Sequence, residues 1–187
     1  MNKIIQITDL HLTKPGTRLW GIDPCSRLEA CLNDLAQHHA DADFCVISGD
    51  LTEAGDLEAL RYLQKKLDNF PIDTHLMIGN HDNRERFLST FPDQPTDGNG
   101  FIQYAIQTSF GRFIFLDTKK DEPTSAGHLC RQRIDWLADE LEQYIGDVFI
   151  FMHHPPCDVG VAYMDRIKLD NHEIFAETLS QNRNIRH

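Results

Sequence analysis

The sequence predicts an α/β protein: a sheet of mixed strand directions covered by helices on both faces. Three observations predict it. Short apolar runs of strand length at 3–8, 43–48, 74–78 and 148–152 are separated by segments with leucines at helical spacing. Over the first ninety residues the order is β-α-β-α-β, the pattern of parallel strands joined by crossover helices. From Ile102 the pattern changes to two strands in close succession, which suits an antiparallel pair. At 187 residues the chain has room for one domain with a sizeable core. It shows no internal repeat or low-complexity segment.

Each element has a local reason. Lys3 to Thr8 reads as the first strand and ends in Asp9-Leu10-His11. Thr13 to Ile22 is a loop broken by Pro15 and Gly16. Asp23-Pro24 supplies an N-cap and a proline at N1, and Leu28, Cys31, Leu32 and Leu35 carry a helix to about His38. Phe44-Cys45-Val46-Ile47-Ser48 has the continuous apolar character of a strand buried on both faces; Gly49 then turns the backbone and leaves Asp50 at the strand's carboxyl end. Asp56 through Phe70 is a second helix with Leu57, Leu60, Leu63 and Leu67 on its buried side, stopped by Pro71. The strand Thr74–Ile78 ends in Gly79-Asn80-His81-Asp82, and a short helix covers Arg84 to Thr90.

Pro92 to Gly100 is turn chemistry. Ile102–Ile106 alternates with period two, and Arg112–Leu116 follows Gly111. Lys119–Gly127 and Cys157–Lys168, like Thr13–Ile22, read as loops that rim a site. Ile134, Leu137, Leu141 and Tyr144 define a long helix. Val148–Met152 is a strand ending in His153-His154-Pro155-Pro156. A last helix spans Asn171 to Gln181, and Asn184–His187 is the approach to one more strand.

The formal net charge of −11 argues against nucleic-acid polymers and anionic membranes as partners, since both need a basic footprint. Small anionic substrates stay open, because bound metal cations reverse the local field. Five cysteines form no C-x-x-C pair, as expected of reduced thiols in a cytoplasmic protein. No apolar run approaches membrane-spanning length.

Taken singly, Asp9-x-His11 and Gly49-Asp50 are ordinary turn chemistry. Gly79-Asn80-His81-Asp82 places three polar side chains after a buried strand, and one of His153 and His154 has a plain reading as a packed core histidine. The combination is more specific. Each group falls at the carboxyl end of a predicted strand, the edge where α/β sheets collect ligands. Asp9, His11, Asp50, Asn80 and His153 together offer oxygen and nitrogen donors without a thiolate, a set suited to Mn, Fe, Co or Zn. A carboxylate has two oxygens, so Asp50 can bridge two ions ~4 Å apart.

In order and spacing, Asp9-x-His11, Gly49-Asp50, Gly79-Asn80-His81-Asp82 and His153-His154-Pro155 resemble the calcineurin-like metallophosphoesterases. The branch they resemble is that of bacterial class III cyclic-nucleotide phosphodiesterases and glycerophosphodiesterases. Arg18-Leu19-Trp20-Gly21-Ile22-Asp23, Gly127-His128-Leu129 and Met164-Asp165 add context. The resemblance implies an αββα-type sandwich. It also implies two divalent or trivalent metal ions, with Asp9 and His11 on one, Asn80 and His153 on the other, and Asp50 between them. His81 would act on the substrate, as general acid or by neutralising charge, and Asn80 would share in binding it. Asp82 reads as an orienting partner for an imidazole or as a cap of the following helix, with the cap preferred.

The implied reaction is hydrolysis of a small phosphodiester by a hydroxide held between the metals. A cyclic nucleotide such as 3′,5′-cAMP comes first as substrate; glycerophosphodiesters and then phosphomonoesters are alternatives. The family closes its site with Gly-His-x-His on the next strand. On this reading residues 1–187 are a single catalytic domain whose carboxyl-terminal strands are missing. A non-catalytic module binding metal or phosphoester is the competing class, and self-association is left open.

Overall fold

The computed structural model describes residues 2–187. The chain divides into two compact units, Met1–Gln94 and Pro95–His187.

The first unit is built on β1 (Ile4–Ile7), β2 (Phe44–Ser48) and β3 (Thr74–Met77), with α1 (Pro24–His38), α2 (Leu57–Leu67) and α3 (Arg84–Thr90) following them in turn. Its sheet has the order β1-β2-β3 and both pairings are parallel, with Ile7 opposite Ile47 and Ile47 opposite Leu76. All five residues of β2 are buried, as the continuous apolar run requires of a central parallel strand. Asp23 caps α1 by accepting from the Cys25 and Ser26 amides, with Pro24 at the first helical position. The second helix is shorter than its periodicity suggests. Asp56 is its N-cap, and it ends at Leu67, before Pro71; Ala59, Leu60 and Leu63 are buried, while Leu57 and Leu67 are half-buried.

The second unit contains β4 (Tyr104–Thr108), β5 (Gly111–Leu116), α4 (Arg131–Glu142), β6 (Val148–Met152), α5 (Ala162–Ile167) and α6 (His172–Ser180). The order is β4-β5-β6, with β4 antiparallel and β6 parallel to β5. Alternation along β5 sorts its side chains. Ile114 and Leu116 join Ile134, Leu137 and Leu141 of α4 and Phe175 of α6 in one buried cluster. Phe113 and Phe115 take the other face, where Phe113 stacks on Phe149 at 4.8 Å and Phe115 on Tyr104 at 4.7 Å. The 184–187 segment pairs in parallel with β6: Val148 N–H donates to Asn184 O, and Ile150 N–H to His187 O.

Among the described residues the fold is therefore mixed α/β, as expected, with two three-stranded sheets. One expectation needs correcting. Within 157–168, residues Ala162–Ile167 form α5, a six-residue helix with no buried side chain, too short and too exposed to leave an apolar period in the sequence.

Candidate metal centre

The first unit collects donors at the carboxyl edge of its parallel sheet. Asp9, His11 and Asp50 all have left-handed backbone, with φ of 56°, 42° and 48°. Three non-glycine residues in that region within one cluster is strain that the surroundings must hold in place. They do so by continuing the ladder past the strand ends. Asp9 N–H donates to Gly49 O at 3.1 Å, and His11 N–H to Asp50 O at 2.9 Å. Leu12 N–H then donates to Leu51 O at 3.0 Å, and Glu53 N–H to Leu12 O at 3.0 Å.

The side chains converge. His11 Nε2 lies 3.6 Å from both Asp9 Oδ1 and Asp50 Oδ2. One ligand atom from each of His11, Asp50 and His81 falls within 4.8 Å of the others. The two imidazoles meet edge to face, 4.7 Å between centroids. Asp50 is buried, and His11 and His81 are half-buried.

Glu53 orients both rings, a role with no motif to announce it. Its carboxylate accepts from His11 Nδ1 at 2.8 Å, which turns Nε2 toward Asp9 and Asp50. Its backbone carbonyl sits 2.7 Å from His81 Nδ1. A carbonyl only accepts, so Nδ1 carries the proton and Nε2 is left facing the cluster, 3.9 Å from Asp50 Oδ2. The His81 amide donates to Asp50 Oδ1 at 3.0 Å. The one signal that could have found Glu53 is an acidic residue in the short turn after Gly49-Asp50.

Asp82 is not a helix cap. Asn83 caps α3, accepting from the Arg86 amide at 2.9 Å. Asp82 is 3% exposed and ties two strand-end loops together. Oδ2 accepts from the Leu51 and Gly79 amides, and Oδ1 from the Thr52 amide and hydroxyl, at 2.9–3.0 Å. Four donors call for an acceptor-only carboxylate. Burial raises its pKa, against the backbone hydrogen bonds, which lower it. Gly55 closes the brace, for with φ at +63° a Cβ there would stand 2.7 Å from Asn83 Cβ.

Electrostatically the cluster is built for a cation. The Asp9 carboxylate, with Asp50 and Glu53 and against a smaller desolvation effect, raises the His11 pKa to about 9. The field that holds a proton on that ring is the field a metal ion would feel. Oxygen and imidazole donors fit a first-row divalent ion.

In the second unit, His153 and His154 follow β6, as expected, and play different parts. His154 is 2% exposed, and its Nδ1 shares a 2.6 Å hydrogen bond with Thr118 Oγ1. It packs on bare backbone: a Cβ on Gly127 would lie 2.5 Å from its ring. His153 is half-buried, with its ring edge to face with His154 at 4.9 Å. Asn80 is half-buried between Gly79 and His81. A cavity of about 690 Å³ between α4 and α6 is lined by His128, Ile134, Asn171 and Ile174 among others, and by none of the predicted donors.

These features make up a candidate carboxylate–imidazole metal centre on a parallel crest. The chain belongs to the calcineurin-like phosphoesterase family, whose model matches residues 2–180. Membership bears out the resemblance read from the motifs and implies divalent metal ions. Among its relatives, a probable cyclic nucleotide phosphodiesterase of Rhodopseudomonas palustris is 35% identical over 97% of this chain and 67% of its own length. A 3′,5′-cyclic-nucleotide phosphodiesterase of Nostoc is 31% identical over 92% of this chain and 64% of its own length. A probable glycerophosphodiester phosphodiesterase of Arcobacter nitrofigilis is 26% identical over 95% and 64%. The chain thus spans about two thirds of the length of the curated relatives it matches. The structure of a purple acid phosphatase from yellow lupin seeds has the same fold, with TM-score 0.55 and 12% identity over 87% of this chain and 32% of that one. No helix among the described residues is long and apolar enough to cross a membrane.

Proposed function

We propose that the protein hydrolyses small phosphodiesters with metal ions held by these side chains, and that cyclic nucleotides are its first substrates. The observation that carries the reading is the convergence of Asp9, Asp50 and Glu53 carboxylates on His11, beside His81, at one sheet edge. Asp9 and His11 would hold one ion and Asp50 would be shared with a second. Asn80 and His153 are assigned to that second ion on motif order alone, as is the reading of residues 1–187 as one catalytic domain. When bound, the ions would supply Lewis acidity at phosphoryl oxygens and lower the pKa of water.

The remaining chemistry falls to His81. With Nδ1–H fixed on the Glu53 carbonyl, its Nε2 is the atom free to meet substrate. There the neutral ring accepts a hydrogen bond, and the imidazolium donates a proton to the departing alkoxide. The names of the Rhodopseudomonas and Nostoc relatives favour cyclic nucleotides; that of the Arcobacter relative favours glycerophosphodiesters as the second reading.

The test is turnover of 3′,5′-cAMP and of a glycerophosphodiester by protein purified with Mn²⁺ or Co²⁺, beside Asp50→Asn and His81→Ala. Asp50→Asn should lose roughly a hundredfold to a thousandfold in rate, the scale of removing one preorganised electrostatic group, together with metal content. His81→Ala should slow turnover with metal content kept. Equal rates in wild type and Asp50→Asn would remove Asp50 from the mechanism.

A further inference from the structure

The connection between β1 and α1, which carries Asp9 and His11, also holds Trp20 in a conformation that needs a reason. Leu19 N–H donates to Ile22 O at 2.8 Å and Ile22 N–H to Leu19 O at 2.9 Å, closing a two-residue hairpin. Its central residues, Trp20 and Gly21, have φ of +48° and +83°, the positive pair that a type I′ turn demands. Asn, Asp or Gly takes the first central position without strain, whereas a bulky side chain does not. Nor does burial repay the strain, since Trp20 is 84% exposed. The hairpin is held from both sides, by Thr13 Oγ1 donating to Thr17 O at 2.7 Å and by the Asp23 cap on α1. A rigid turn thus displays an indole to solvent at a cost to the fold, and observed strain of this kind points to a contact outside it.

We propose that Trp20 is a stacking platform for a planar base or aryl group of the substrate, and so a specificity-determining residue. This rests on the phosphodiesterase reading and names the chemical class within it. A flat ring suits the site better than a protein surface does. Beside Trp20, Ile22 at 49% exposed and the half-buried Leu19 add little apolar area on this hairpin, far short of a docking patch. The adjoining cavity of about 480 Å³ is of mononucleotide scale, and Arg18, Asp23, Ser26 and Arg27 place polar groups in its wall beside Ile22 and Ala30. An indole face stacks on any base, and a guanidinium next to it adds to that preference.

Trp20→Asn separates stacking from folding, because asparagine suits the turn. Metal content should stay at the wild-type value and Tm should hold or rise by roughly 2–4 °C. On 3′,5′-cAMP, kcat/KM should fall roughly tenfold through KM, the size of one lost stacking contact. On glycerophosphoethanolamine, which has no ring, it should stay within about twofold. In a Trp136→Phe background the remaining tryptophan emission should be quenched by adenosine 5′-monophosphate and not by glycerol 3-phosphate. Parallel losses on both substrates, or no selective quenching, overturn the proposal. So does a drop in solution mass on Trp20→Asn, which would give the surface to a second copy of the chain. If the wild type turns over neither diester, the phosphodiesterase reading falls, and the quenching experiment alone decides whether Trp20 stacks on a base.

Discussion

The two units present polar groups at strand ends by different means. In the first, the described non-glycine residues with positive φ include Asp9, His11 and Asp50, and a buried carboxylate with four hydrogen bonds keeps the neighbouring loops in register. In the second, the described positive-φ residues are glycines, and the β6 histidines leave the strand on ordinary backbone. There the placing is done by packing, with His154 seated on Gly127 and bonded to Thr118. One edge is aimed by braced strain and the other by close contact, so they should fail in different ways.

Asp82→Asn is the strongest way to break the contrast. An amide in that site turns a donor toward at least one of the four donors, and we expect a loss of about 3 kcal/mol in urea unfolding. Metal affinity should fall with it; unchanged affinity would mean that the first unit does not rely on the brace. Gly127→Ala comes next. A methyl group 2.5 Å from the His154 ring should cost about 2 kcal/mol by overpacking, read as a lower Tm.

Glu53→Gln keeps the shape and removes the charge facing His11. Metal affinity should drop roughly tenfold to a hundredfold, measured by competition with a chelator, with little change in Tm. The smallest effect concerns His75 on β3. Burial lowers its pKa, against the Asp73 carboxylate 3.7 Å away, which raises it. The unfolded chain therefore takes up the proton first as pH falls below about 6.5, and stability present above that pH is lost on acidification. In metal-free protein, His75→Phe should flatten part of the Tm decline between pH 7.5 and 5.5; an identical slope would show that the ring does not titrate with folding.

Much of this was legible because it was local. The Asp23-Pro24 start of α1, the apolar run of β2 and the 148–152 strand each state their case within a few residues. Candidate site residues were legible where a strand ended in a short polar motif. The rest depended on contacts distant in sequence. Glu53 gains its role only when Asp50 and His11 are placed beside it. Asp82 looked like a cap because it precedes a helix, yet besides Gly79 its partners are Leu51 and Thr52, some thirty positions earlier. The turn chemistry of Trp20-Gly21 was hidden because tryptophan is the wrong residue for it.

The return of Leu12 and Glu53 to the β1–β2 ladder has a consequence of its own. The Asp9–His11 segment is an arch with both feet anchored, so its carboxylate and imidazole are set before any ion arrives. Metal uptake then requires no refolding of that span. Amide exchange at Leu12 and Glu53 should be slow with or without Mn²⁺, and loading of the ion on Asp9 and His11 should proceed in a single kinetic phase, first order in free ion.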